Sequence, residues 1–106
     1  MENLSAQVIK PATLADYQEG GIISRVLLKQ EQGSVTFFAF DQGQELSEHT
    51  APFDALVQVL EGRAEVIIAG HAHQLQAGEM IIMPADQPHA LKALKRFKML
   101  LTMIRS

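Results

Sequence analysis

Cysteine and tryptophan are both absent from this 106-residue chain, and tyrosine occurs once. Without thiols there is no disulfide scaffold, no thiolate metal site and no cysteine nucleophile. The chain suits a reducing compartment, so a cytoplasmic location is expected. A net charge of -3 and the scarcity of large aromatics leave little for phosphate neutralisation or base stacking. Nucleic acid is therefore not an expected partner. No apolar run approaches the roughly 18 residues of a membrane span. The opening Met1-Glu2-Asn3-Leu4-Ser5 has neither the basic region nor the apolar block of a secretory signal, and no membrane partner is expected. A Gly-rich phosphate loop, a Gly-x-Ser-x-Gly elbow and carboxylates at glycosidase spacing are missing as well.

What is present is a core. Hydrophobic residues make up 47% and charged residues 20%, the balance of a globular domain, and the length allows one domain. The charges are uneven. Up to His89 there are twelve acidic residues and four basic ones, whereas Lys92, Lys95, Arg96, Lys98 and Arg105 follow with no acidic residue among them. Late strands whose exposed positions complement an acidic body explain this best, with an anionic ligand or partner at that edge as the alternative.

Residues 1–21 stand apart as an N-terminal extension. Thr13 is placed to cap a short helix through Asp16, Tyr17 and Gln18, ended by Gly20-Gly21, with Gly21 free to turn left-handed. Residues 22–106 form the main domain. Short apolar runs recur there between turn formers such as Gln32-Gly33, Asp41-Gln42-Gly43, Glu61-Gly62, Ala69-Gly70, Ala77-Gly78 and Pro84 to Pro88. Val57 and Val59 flank Gln58 in the alternation of a half-buried strand, while Val66-Ile67-Ile68 and Met80-Ile81-Ile82-Met83 are apolar on both faces. Eight or nine strands with no long helix between them predict an all-β, antiparallel sandwich or barrel.

Two segments carry a recognisable pattern, Gly43 to Gly62 and Gly78 to His89. Together they resemble the two motifs of the cupin superfamily: Gly, five residues, His-x-His, three or four residues, Glu, six residues, Gly, and then Gly, five residues, Pro-x-Gly, two residues, His. Gly43, His49 and Gly62 match the first motif, and Gly78, Pro84 and His89 match the second. Ala51 stands at the second His position, Ala55 at the Glu position and Asp86 at the Gly of Pro-x-Gly. Asp tolerates a positive φ, so the turn survives. The resemblance implies a jelly-roll β-barrel, a homodimer, and a pocket inside the barrel.

The resemblance also implies a divalent transition ion (Zn, Ni, Mn or Fe) held by three His and one Glu. Here it supplies only His49 and His89 as metal or ligand-binding residues. An ion needs about three or four protein donors. By the two-residue period of a strand, Asp54 and Gln58 should face away from Ala55. A bulge at Pro52-Phe53 is the one way to turn Asp54 inward. Three functions stay open: binding of a small molecule, a metal-dependent dioxygenase, isomerase or decarboxylase, and a regulatory or stress partner. A purely structural role for the two imidazoles, His49 buried and His89 at its turn, stands beside these. His71 and His73 follow Ala69-Gly70 and are expected at a solvent-facing turn. Met80, Met83, Met99 and Met103 are expected in the core or lining a pocket, as are Phe37, Phe38, Phe40, Phe53 and Phe97.

Overall fold

The computed structural model describes residues 4–105. Among them one 3-10 turn (Pro11–Thr13) precedes nine strands: β1 (Ile22–Gln30), β2 (Gly33–Phe40), β3 (Glu45–His49), β4 (Phe53–Glu61), β5 (Arg63–Ile68), β6 (His71–Gln76), β7 (Met80–Met83), β8 (His89–Ala93) and β9 (Phe97–Arg105). Every pairing is antiparallel. The strands form a five-stranded sheet ordered β1-β2-β9-β4-β7 and a four-stranded sheet ordered β3-β8-β5-β6. This is the expected all-β jelly roll, built as two facing sheets with no ladder joining them among the described residues. No helix among those residues is long and apolar enough to cross a membrane.

The core follows from the pleat. Ala55, Val57 and Val59 alternate inward on β4, Ala64, Val66 and Ile68 do so on β5, and each is at most 9% exposed. Burial of each larger side chain contributes roughly 1.5–3 kcal/mol. At one end Phe40 stacks on Phe97 with centroids 4.5 Å apart and closes the interior. At the other end the 50–52, 69–70 and 84–88 connections meet. There Asp86 N–H donates to the Ala51 carbonyl and Ala69 N–H to the Pro88 carbonyl, each at 2.8 Å. This second end is the mouth.

Two turns show why their residues are needed. Gly62 has φ +83°, and a Cβ there would collide with the Arg96 carbonyl oxygen. Asp86 takes φ +66°, as expected of a residue standing in for glycine.

The N-terminal segment lies over the outer face of the five-stranded sheet. Lys98 Nζ donates to the Ala12 carbonyl at 2.7 Å, and Arg25 to the Leu14 carbonyl at 3.3 Å. Tyr17 donates its hydroxyl to Glu61 and sits 4.9 Å from Lys98 Nζ. Burial, then the Glu61 carboxylate, pushes the Tyr17 phenol well above its usual range, with Arg96 opposing. The helix expected through Asp16 to Gln18 does not form. Pro11 presets a 3-10 turn instead, and Thr13 Oγ1 donates back to the Lys10 carbonyl. Gly20, not Gly21, takes the positive φ, at +69°. Its N–H donates to Asp41, whose carboxyl is held down at about 2 by that bond first and by Arg96 second.

The late basic residues do complement the acidic body. Lys92 pairs in register with Glu45 and Glu65, and Arg96 meets Asp41 at 2.7 Å. Lys98 is 3.8 Å from Glu61. Met80 departs from expectation: it is 63% exposed, because β7 points it outward while Met83 points in at 2%. Met99, Phe37, Phe40 and Phe97 are fully buried, and Phe38 and Met103 pack against the core.

Candidate functional site

His49 ends β3 and His89 begins β8, forty residues apart in sequence and opposite one another in the ladder. A register shift between Leu46 and His49 makes this possible. Leu46 faces the core, and a residue three further along would ordinarily face away. The one-residue irregularity restores the inward direction. His89 is fixed from the other side, where Ile68 of β5 pairs with it.

The two rings meet with centroids 4.4 Å apart, planes at 68°, and Nε2 atoms separated by 3.2 Å. His49 Nδ1 lies 2.8 Å from the Ser47 carbonyl, and His89 Nδ1 lies 3.1 Å from the Gln87 carbonyl. A carbonyl can only accept, so each Nδ1 carries the hydrogen and donates it. In both cases the acceptor is the backbone two residues upstream. Both Nε2 atoms are left to face the same point. Burial lowers the titration of His89, the Gln87 carbonyl opposes this, and the neighbouring His49 adds to the lowering. His89 is 6% exposed, whereas His49 is exposed to solvent rather than buried.

The surroundings are apolar. Ala55 of β4 is 5% exposed and pairs on one side with Met83 and on the other with Met103, all facing inward at the mouth. Asp54 points the other way, as the period predicts, and its Oδ1 accepts from the Ala85 N–H at 2.9 Å. No bulge at Pro52-Phe53 reverses it. Gln58 is likewise out of phase with Ala55, in register with Met80 and Leu100. Neither joins the histidines. No group of three or more His, Cys, Asp or Glu able to hold an ion exists among the described residues.

His71 and His73 are exposed, as expected, but they lie in strand β6 rather than in a turn. They pair with Ile68 and Val66, so they share the inner face of the sheet at its edge. The sequence missed the two carbonyls that orient the site rings, those of Ser47 and Gln87. The only signal for them is the common spacing of two residues before each histidine.

A family model described as the cupin domain matches residues 36–104. The chain belongs to the cupin family. A conserved protein of unknown function from Streptococcus pyogenes is 34% identical, with a TM-score of 0.93 over 99% of this chain and 93% of that one. A cupin 2 conserved barrel domain protein from Leptotrichia buccalis is 37% identical, with a TM-score of 0.86 over 89% of this chain and 46% of that one. A cupin superfamily protein from Desulfitobacterium hafniense is 26% identical, with a TM-score of 0.91 over 99% and 97% of the two chains. No curated protein matches this cupin.

The donor set can be tested against the ion that cupins often hold. Two nitrogen ligands about 2.1 Å from one ion stand roughly 3.0–3.4 Å apart. The observed 3.2 Å fits that spacing, and each Nδ1–H is anchored as in metal-bound imidazoles. The count does not fit. Two described donors are one short of the three protein ligands of a catalytic site, because Ala51 and Ala55 carry no donor atom.

Proposed function

We propose that this cupin binds a small, largely apolar molecule at its mouth, through a hydroxyl or amino hydrogen donated between the Nε2 atoms of His49 and His89. One observation carries the proposal: both Nδ1–H groups are spent on backbone carbonyls, so two Nε2 atoms 3.2 Å apart converge, one of them on the solvent-exposed His49. A neutral imidazole protonated at Nδ1 is an acceptor at Nε2. Ala55, Met83 and Met103 offer apolar contact and no competing donor. Mostly apolar walls with a few convergent polar atoms are the usual make-up of a small-molecule site.

Thermal shift with phenol, catechol and benzoate at pH 7.5 tests this. Phenol and catechol have a hydroxyl to donate, and benzoate only accepts. At a hundred times its dissociation constant a donor ligand adds about 2.7 kcal/mol of stability. The hydroxylated probes should raise the melting temperature of the native chain, and benzoate should not. His89→Ala and His49→Ala should abolish the rise. No rise with either donor probe, or an equal rise in the alanine variants, would overturn the proposal.

Metal-dependent chemistry is a second reading, favoured only by the 3.2 Å spacing of the nitrogens. With two donors, no reaction step is assigned to an ion.

A further inference from the structure

The ladders of the four-stranded sheet carry the row of the site beyond its two rings. His49 of β3 pairs with His89 of β8, His89 with Ile68 of β5, and Ile68 with His71 of β6. Directly opposed residues of a ladder share a face, so all four side chains stand on the inner face at the same end of the sheet. The row is polar at both ends and apolar between them. Ile68 is 9% exposed, and His71 is exposed at the edge. Two strand spacings set the His71 backbone roughly 9–10 Å from that of His89.

His71 is held in that place. The Ala69-Gly70 turn before it has φ +49° and +82°, the two positive angles of a tight two-residue hairpin, and this fixes Ile68 opposite His71. Ala69 N–H also donates to the Pro88 carbonyl at 2.8 Å, which ties the hairpin to the residue before His89. His49 and His89 each spend one nitrogen on a carbonyl. The His71 ring makes no hydrogen bond among the described residues. An imidazole with both nitrogens uncommitted offers one N–H and one lone pair, the complement of a hydroxyl. From the facing sheet, Met103, Ala55 and Met83 on neighbouring strands add only apolar contact.

We infer that the ligand of this mouth carries a second hydroxyl at its far end, taken by His71, and is an elongated molecule with an apolar middle and an oxygen at each end. The inference rests on the small-molecule reading of His49 and His89, and adds to it the length of the ligand and its second polar group. With about 2.8 Å for a hydrogen bond at each end, the row leaves roughly 4 Å between the two ligand oxygens, and more where the rings splay. Adjacent hydroxyls, as in catechol, are too close together to reach both ends. His73 shares the face and the exposure of His71, but it stands in the next row, beside Val66 and Leu91.

NMR titration of the full chain at pH 7.5 with p-cresol and 4-hydroxybenzyl alcohol tests this. The two probes share a ring and a phenol, and only the second has the distal hydroxyl. The native chain should bind the alcohol about tenfold more tightly than p-cresol, the effect of one added hydrogen bond. His71→Ala should remove that advantage and leave p-cresol binding unchanged. His73→Ala should leave both probes unaffected, and His89→Ala should abolish the binding of both. Equal native affinity for the two probes, or an advantage that survives His71→Ala or falls as far in His73→Ala, would overturn the inference and leave the reading beneath it standing. If neither probe binds the native chain, or both bind His89→Ala as well, that reading fails and the inference with it.

Discussion

The chain has two pairs of histidines, and the pair that stands close in sequence is not the pair whose rings meet. His71 and His73 stand one residue apart on an edge strand, both exposed. His49 and His89 are forty residues apart, yet their Nε2 atoms are 3.2 Å from each other. Neighbours at i and i+2 on a strand share a face but lie about 6.8 Å apart. Residues opposite each other on paired strands have Cβ atoms about 4.5–5.5 Å apart, close enough for the rings to meet. Ladder register, more than closeness in sequence, assembles the site. The β3 irregularity supplies that register for His49.

The contrast is sharpened most by restoring donors to the assembled pair. Ala51→His with Ala55→Glu should raise Zn²⁺ affinity on the order of a thousandfold or more, read by calorimetry. The Glu would sit at a position 5% exposed, so in chelator the double variant should melt well below the native chain. If the double variant gains no ion, the mouth is not arranged around His49 and His89.

Single substitutions come next. His89→Ala removes a buried ring and its bond to the Gln87 carbonyl and should cost roughly 1–3 kcal/mol in denaturant titration. His71→Ala and His73→Ala should stay within about 0.5 kcal/mol of the native chain. Equal losses at all three positions would erase the distinction between the pairs.

Acid separates them more gently. His89 titrates below the ordinary imidazole value of about 6.5, so the unfolded chain takes up a proton more readily than the folded one. The stability this difference contributes is complete above about pH 6.5 and declines as pH falls through that value toward the lower folded one. Native chain should therefore lose more stability between pH 7 and pH 5 than His89→Asn does. The smallest effect is that of His49→Ala. It should leave stability within about 0.5 kcal/mol and let His89 titrate nearer its ordinary value, as seen by NMR.

Much of the architecture was legible in the residues. The turn formers marked the strand ends, Asp86 was compatible with its positive φ, and the period of two turned Asp54 and Gln58 away from Ala55. The two site histidines were legible through motif spacing. What was hidden depended on irregular ladders and on atoms that no side chain announces. A bulge between Val26 and Leu28 shifts the register of β1 and puts Leu28 beside Val35 on the outer face, which no apolar pattern in the strand reveals. Pro11 overrode the cap that Thr13 suggested. The tautomer of each site ring depends on a backbone carbonyl whose direction only the folded loop sets.

Long-range ¹H–¹⁵N correlation of the imidazole nitrogens at pH 8 tests the central arrangement most directly. His49 and His89 should both carry their hydrogen on Nδ1, leaving each Nε2 as an acceptor. A hydrogen on Nε2 of His89 would mean that the Gln87 carbonyl does not hold the ring, and would contradict the converging pair.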